Sequence, residues 1–121
     1  MHPVDHAKTS AKLFGGTPDL YVKIHDWLDA SKEHFGDWRH RALRHHSQGI
    51  FEAERVFGHT ITNSDGKEVP VRYIAEQHIR EDCGGRIPTM ADWFSKIPRE
   101  SWMAKGYKID APGENPSGEA P

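Results

Sequence analysis

Two predicted helices each carry a histidine in the middle of their apolar face, and this feature constrains the fold most. When residues 38–57 are projected at about 100° per residue, the apolar side chains form one stripe with His46 near its centre. The same projection of residues 71–83 places His78 at the centre of a stripe and Asp82 one turn further along that face. A buried imidazole needs a hydrogen bond or a metal ion at its ring nitrogens. The sequence therefore predicts that two packed helices bring His46 and His78 into a shared interior site.

Proline, glycine and capping residues divide the chain into further predicted elements. Pro3 fits the first turn of a helix, and Gly15-Gly16 fits its end. Asp65-Gly66 between two β-branched runs predicts a hairpin. We therefore expect a mainly α fold, a single compact helical domain of about five helices with one short β-hairpin. The predicted helices span about residues 3–14, 18–35, 38–57, 71–83 and 89–97.

The last residues differ in composition from the rest of the chain. Residues 110–121 consist mainly of proline, glycine and acidic residues, and they contain too few apolar side chains to offset the entropy of ordering. We expect a domain over residues 1–109 and a disordered acidic tail over residues 110–121. The tail holds three acidic residues and no lysine or arginine, so removing it changes the formal charge from −2 to +1.

Cysteine content and hydropathy indicate the compartment. Cys83 is the single cysteine and cannot form an intramolecular disulfide. The chain has no apolar run near the roughly 18 residues of a membrane span, and no charged-then-apolar leader at its start. We therefore expect a cytoplasmic protein that does not enter a membrane.

The interior histidines suggest a metal site. Imidazole and carboxylate together bind zinc, iron or manganese, and a carboxylate four residues after a histidine lies on the same helix face. The predicted ligands are His45 or His46, with His78, Asp82 and either His25 or His6. The open alternative is a buried hydrogen-bond network in which His46 or His78 bonds to Asp82 and to backbone carbonyls.

A metal at this site would also permit hydrolysis. A bound divalent ion lowers the pKa of a water molecule, and Glu81 or His45 is the nearest candidate base. The His25-Asp26 pair resembles the His…His-Asp…Asp pattern of metal-dependent phosphohydrolases. However, the two side chains diverge by about 100° on a helix, so we expect Asp26 to face solvent.

A basic cluster precedes the histidine pair. Arg39, Arg41 and Arg44 could contact phosphate, but they are spread around the predicted helix and no aromatic platform accompanies them. Acidic residues nearby in sequence favour intramolecular pairing over nucleic-acid contact. The sequence thus leaves a small molecule or a protein as the expected partner, and nothing in it fixes the oligomeric state.

Four segments resemble a family of small uncharacterised proteins from bacteria and their phages, over roughly residues 6–103. The most specific segments are HRALRHHSQGIF at residues 40–51 and EQHIRED at residues 76–82. The resemblance implies no known activity. It implies a cytoplasmic protein, often linked to mobile elements, of unknown function. The alternative to a metal-binding protein is a non-catalytic interaction protein, for instance a phage-encoded inhibitor or adaptor, whose histidines form a buried hydrogen-bond network in the core.

Overall fold

The computed structural model describes residues 1–108 and confirms the mainly α fold with one hairpin. Residues 110–121, the predicted tail, lie outside the described part. Among the described residues, no helix is both long and apolar enough to cross a membrane. The α-helices are α1 (Pro3–Phe14), α2 (Val22–Asp29), α3 (Arg41–Arg44), α4 (Ser47–Phe57), α5 (Val71–Asp82) and α6 (Met90–Phe94), and 3₁₀ turns cover Pro18–Leu20, Ala30–Glu33, Trp38–His40 and Ser101–Ala104.

Helix α1 begins and ends where the sequence predicts. Pro3 occupies the first turn, where a missing N–H costs nothing, and the ring of His2 accepts a hydrogen bond from the Val4 N–H. Gly15 ends the helix with a positive φ of 94°, a backbone conformation that favours glycine. Helix α1 packs against both α2 and α5, so its inward face becomes part of the core.

The predicted continuous helix over residues 38–57 is wrong, because the chain leaves helical geometry at His45 and His46. His46 is extended and caps α4, since its Nδ1 accepts a hydrogen bond from the Gly49 N–H at 3.1 Å. A Cβ atom on Gly49 would lie 1.8 Å from the Arg44 carbonyl oxygen, so the close approach of these two backbone segments requires glycine. The apolar stripe continues through the break, which explains why periodicity alone predicts one helix.

The predicted hairpin is present. Strand β1 (Thr60–Thr62) pairs antiparallel with β2 (Glu68–Pro70), and Ile61 lies opposite Val69. Its turn rests on the segment after α1, where the Gly16 N–H donates to Asp65 Oδ2 at 2.9 Å. Val69 is fully buried, so the hairpin belongs to the folded body and leads directly into α5.

The core is unusual in holding many polar side chains beside its apolar ones. Helices α2, α4 and α5 pack together around Leu28, Ile50 and Ile74, which are buried. Burying this many imidazoles is costly unless their ring nitrogens find partners. The buried histidines are His6, His25, His40, His45, His46 and His78.

Candidate metal centre

Four side-chain atoms from separate parts of the chain meet in the interior. Asp29, His45, His78 and Asp82 each offer one ligand atom, and these atoms all lie within 4.8 Å of one another. His45 Nε2 lies 3.0 Å from Asp82 Oδ2 and 3.5 Å from Asp29 Oδ1. His78 Nε2 lies 3.1 Å from Asp29 Oδ1, 3.2 Å from Asp82 Oδ2 and 3.1 Å from His45 Nε2. We call these four residues the tetrad.

Local structure explains how each member reaches the tetrad. His78 and Asp82 are one turn apart on α5, so they share the face that the sequence predicts. Asp29 is the last residue of α2. His45 lies in the break between α3 and α4, and its carbonyl accepts a hydrogen bond from Trp93 Nε1 at 3.0 Å, which anchors the backbone there.

The spacing of the tetrad fits a four-coordinate ion. Metal–ligand bonds of about 2.0–2.2 Å place the corners of a tetrahedron roughly 3.3–3.6 Å apart. The five distances given above run from 3.0 to 3.5 Å, so four of them are shorter than these edges and would lengthen by about 0.1–0.6 Å around an ion. Two imidazole nitrogens and two carboxylate oxygens are also donors that zinc accepts in this geometry.

The two carboxyl groups of the tetrad are held in their charged form. Burial favours the neutral carboxyl, but hydrogen bonds with His45 and other histidines outweigh it, so the pKa of Asp82 lies well below its usual range. The pKa of Asp29 is lowered in the same way, against burial, by hydrogen bonds with His45 and His78. Together the two carboxylates bring two negative charges into a nearly water-free interior.

His6 contacts two members of the tetrad, His78 and Asp82. Its ring stacks on the His78 ring with centroids 3.8 Å apart. Its Nδ1 lies 2.6 Å from Glu81 Oε1, and its Nε2 lies 3.3 Å from Asp82 Oδ1, the carboxylate oxygen outside the tetrad. Burial opposes protonation, but these two carboxylates prevail and raise the pKa of His6.

A second group, His6, His25 and His78, also has close ring nitrogens. However, its rings are stacked, with interplanar angles of 19° to 26°. A ligating lone pair lies in the plane of its ring, so near-parallel rings do not direct three lone pairs at one point. Burial, with the neighbouring His78 and His6, lowers the pKa of His25 to about 2, so this ring is neutral. The tetrad is therefore the better metal site.

Residues 1–103 match the sequence model of a family described as a domain of unknown function (DUF6915). The chain belongs to this family. This agrees with the uncharacterised family that the sequence segments indicate. No curated protein and no solved structure gives a significant match to the chain.

The structure brings some of the predicted site residues together and leaves others apart. His78, Asp82 and His45 belong to the tetrad, and His25 contacts His78 from behind. His46 is buried as predicted, but its ring caps α4 and lies outside both histidine groups. Its Nε2 has no hydrogen-bond partner among residues 1–108. The structure therefore places His45, rather than His46, beside His78, because the helix break turns His45 inward.

Asp29 is not among the ligands that the sequence predicts. The signal was present, because Asp29 follows His25 by four residues on α2, the same spacing as His78 and Asp82 on α5. Asp26, which completes the phosphohydrolase-like pair, is exposed as expected. Glu81 lies one residue before Asp82 and reaches His6 rather than the tetrad.

The basic cluster makes contacts within the chain. Arg39 Nε donates to both carboxylate oxygens of Asp37 at 3.1 Å. The Arg44 guanidinium lies over the Trp27 ring, 4.1 Å from its centroid, and donates to the Trp27 carbonyl. These contacts favour the intramolecular role expected for the cluster.

Proposed function

We propose that this protein binds one divalent transition-metal ion through Asp29, His45, His78 and Asp82, and that zinc suits the site best. The supporting observation is the tetrad, four donor groups of two histidines and two aspartates whose ligand atoms lie slightly closer together than the corners of a tetrahedral coordination shell. Charge balance agrees with it, because two carboxylates and two neutral imidazoles match the charge of a divalent ion.

Hydrogen bonding alone accounts for the tetrad less well. Two neutral imidazoles offer at most two Nε2–H donors for five close contacts. The His45 and His78 nitrogens also face each other at 3.1 Å, so protonating both would direct two N–H groups at one another. A cation at the centre attracts all four atoms at once.

We propose that the ion has a structural role. The side chains of Asp29 and Asp82 are 6% and 4% exposed, and both histidine rings are fully buried, so the four ligands leave no open corner for a substrate. Glu81, the candidate base, is engaged by His6 Nδ1 and by Gln77 Nε2. A hydrolase would require one ligand to leave the ion.

A non-catalytic interaction protein, with or without a phage link, is the second candidate. Large aromatic side chains are exposed on the described surface, among them Trp38 at 63% and Trp102 at 72%. Such side chains often anchor protein interfaces. This role is compatible with a structural ion inside the domain.

The decisive experiment measures metal content and affinity. Protein purified without a histidine tag is analysed for metals, stripped with a chelator, and titrated with zinc by calorimetry. We expect one zinc ion per chain in wild type and no measurable binding in Asp82→Asn. The matched control is Asp26→Asn, which removes an exposed acid from α2 and should bind as wild type does.

Two outcomes would change the proposal. Absence of zinc binding in folded wild-type protein would leave the hydrogen-bond network as the function of these histidines. Zinc-dependent hydrolysis of ester or phosphoester substrates that is lost in Glu81→Gln would replace the structural role with a hydrolase.

A further inference from the structure

A chain of buried polar contacts leads away from the tetrad behind His78. His78 Nδ1 lies 2.9 Å from His25 Nδ1, and His25 Nε2 lies 2.7 Å from Ser10 Oγ. Ser10 Oγ in turn lies 2.6 Å from Gln77 Oε1. All four residues are buried, so water does not replace these contacts. We call them the relay.

The far end of the relay has a fixed orientation. Gln77 Nε2 lies 2.9 Å from the His6 carbonyl oxygen and 3.1 Å from Glu81 Oε1. Both of these atoms accept hydrogen bonds, so the Gln77 amide directs its NH₂ group at them. Its Oε1 must therefore face Ser10 as an acceptor.

This orientation sets the direction of every contact back to the tetrad. The Ser10 hydroxyl has one proton, and the two oxygens that can take it, Gln77 Oε1 at 2.6 Å and the His6 carbonyl oxygen at 3.1 Å, can only accept, so the shorter contact takes it. The Ser10 oxygen then accepts from His25 Nε2–H. Because the His25 ring is neutral in this arrangement, its Nδ1 carries a lone pair and accepts from His78 Nδ1–H.

We propose that Ser10 and Gln77 are positioning residues for the metal centre, acting through the tautomer of His25. They hold His25 with its proton on Nε2, so the lone pair on His25 Nδ1 accepts a hydrogen bond from His78 Nδ1–H. The proton of His78 is then on Nδ1, and its Nε2 directs a lone pair at the tetrad. This inference rests on the proposed metal site, where a ligating histidine requires its other nitrogen to donate.

The reverse direction leaves poor contacts. If His25 carried its proton on Nδ1, its Nε2 would need the Ser10 proton. Ser10 Oγ and Gln77 Oε1 would then face each other at 2.6 Å with no proton between them. Rotating the Gln77 amide would place its oxygen against the His6 carbonyl and Glu81. The relay therefore favours one direction.

The test compares two hydroxyl deletions on α1. Ser10→Ala removes the relay hydroxyl. Thr9→Ala is the matched control, because the Thr9 hydroxyl contacts the Asp5 carbonyl four residues earlier, as the Ser10 hydroxyl contacts the His6 carbonyl, but within the described part of the chain it makes no hydrogen bond to the relay. The ¹⁵N spectrum of the histidine rings is recorded on metal-free protein at neutral pH. We expect His25 to be protonated on Nε2 in wild type and Thr9→Ala, and to lose this preference in Ser10→Ala.

Zinc affinity gives the second readout. Loss of an outer partner of a ligating histidine typically weakens binding by roughly 10- to 100-fold, and we expect this in Ser10→Ala but not in Thr9→Ala. Gln77→Met removes the shorter of the two Ser10 acceptors and leaves the His6 carbonyl, so we expect a smaller spectral change in the same direction, which serves as the test if Ser10→Ala fails to fold.

The two proposals can fail separately. A His25 proton on Nδ1 in wild type, or identical spectra and affinities in Ser10→Ala and Thr9→Ala, would overturn the relay. Absence of zinc binding in wild type would overturn the metal site, while the metal-free spectrum would still decide the direction of the relay.

Discussion

Helices α2 and α5 carry the same histidine–aspartate spacing but use it differently. On α5, both His78 and Asp82 contribute an atom to the tetrad. On α2, only Asp29 does so, and His25 lies behind His78 at 2.9 Å. The comparison shows that a four-residue spacing places two side chains on one face, whereas the packing of the helix decides which of them reaches the centre.

The largest expected effect comes from α5. His78→Ala should abolish zinc binding and also strand the Asp29 and Asp82 carboxylates, which costs about 1 to 3 kcal/mol of unfolding free energy even without metal. Urea unfolding with a chelator present measures this cost. His59→Ala is the control, because the His59 side chain is 92% exposed, and an equal loss in both variants would contradict the buried role of His78.

An intermediate effect is expected from α2. A chelator should lower the melting temperature of zinc-loaded wild-type protein, because an ion that binds only the folded state stabilises it. Asp29→Asn should weaken zinc binding enough to remove most of this response, whereas Asp26→Asn should keep it. If Asp29→Asn responded like wild type, α2 would supply no ligand and the two helices would differ more than we propose.

The smallest effect concerns acid stability of the metal-free protein. The pKa of Asp29 is lower in the folded state than its unfolded value of about 3.9, so its contribution is present above that pH and is lost as the pH falls below it. The free energy of unfolding should therefore fall less in Asp29→Asn than in wild type between pH 5 and pH 2.5. Urea unfolding curves recorded at about half-unit pH steps measure this difference. Parallel losses in the two proteins would show that Asp29 gains no charge stabilisation on folding.

Much of the fold follows from local signals in the sequence. Helix α1 begins at a proline and ends at a glycine, and the Asp-Gly turn specifies the hairpin. The apolar stripe of residues 71–83 predicts α5 with His78 buried. Thr89 and Asp92 form a capping box at the start of α6, where a helix is predicted from residue 89. These features depend on a few neighbouring residues, so a single sequence is enough to find them.

The site was harder to predict because its ligands depend on tertiary contacts. His46 has the better position in the apolar stripe, yet the backbone breaks there and His45 turns inward. At the break the backbone of Gly49 lies close to the backbone of Arg44, which only glycine permits. The periodicity of apolar residues carries no information about this contact. Predicting Asp29 as a ligand would have required comparing the His25–Asp29 spacing on α2 with the His78–Asp82 spacing on α5.

The tetrad joins parts of the chain that are far apart in sequence. Asp29 and His78 are separated by 49 residues, with His45 between them. An ion bound to all of them would act as a cross-link that shortens the free loops of the unfolded chain. By analogy with a disulfide closing a loop of that length, such a constraint is worth about 4 kcal/mol in chain entropy. For a chain this small, one ion would then do the work that disulfides do in secreted domains, without requiring an oxidising compartment.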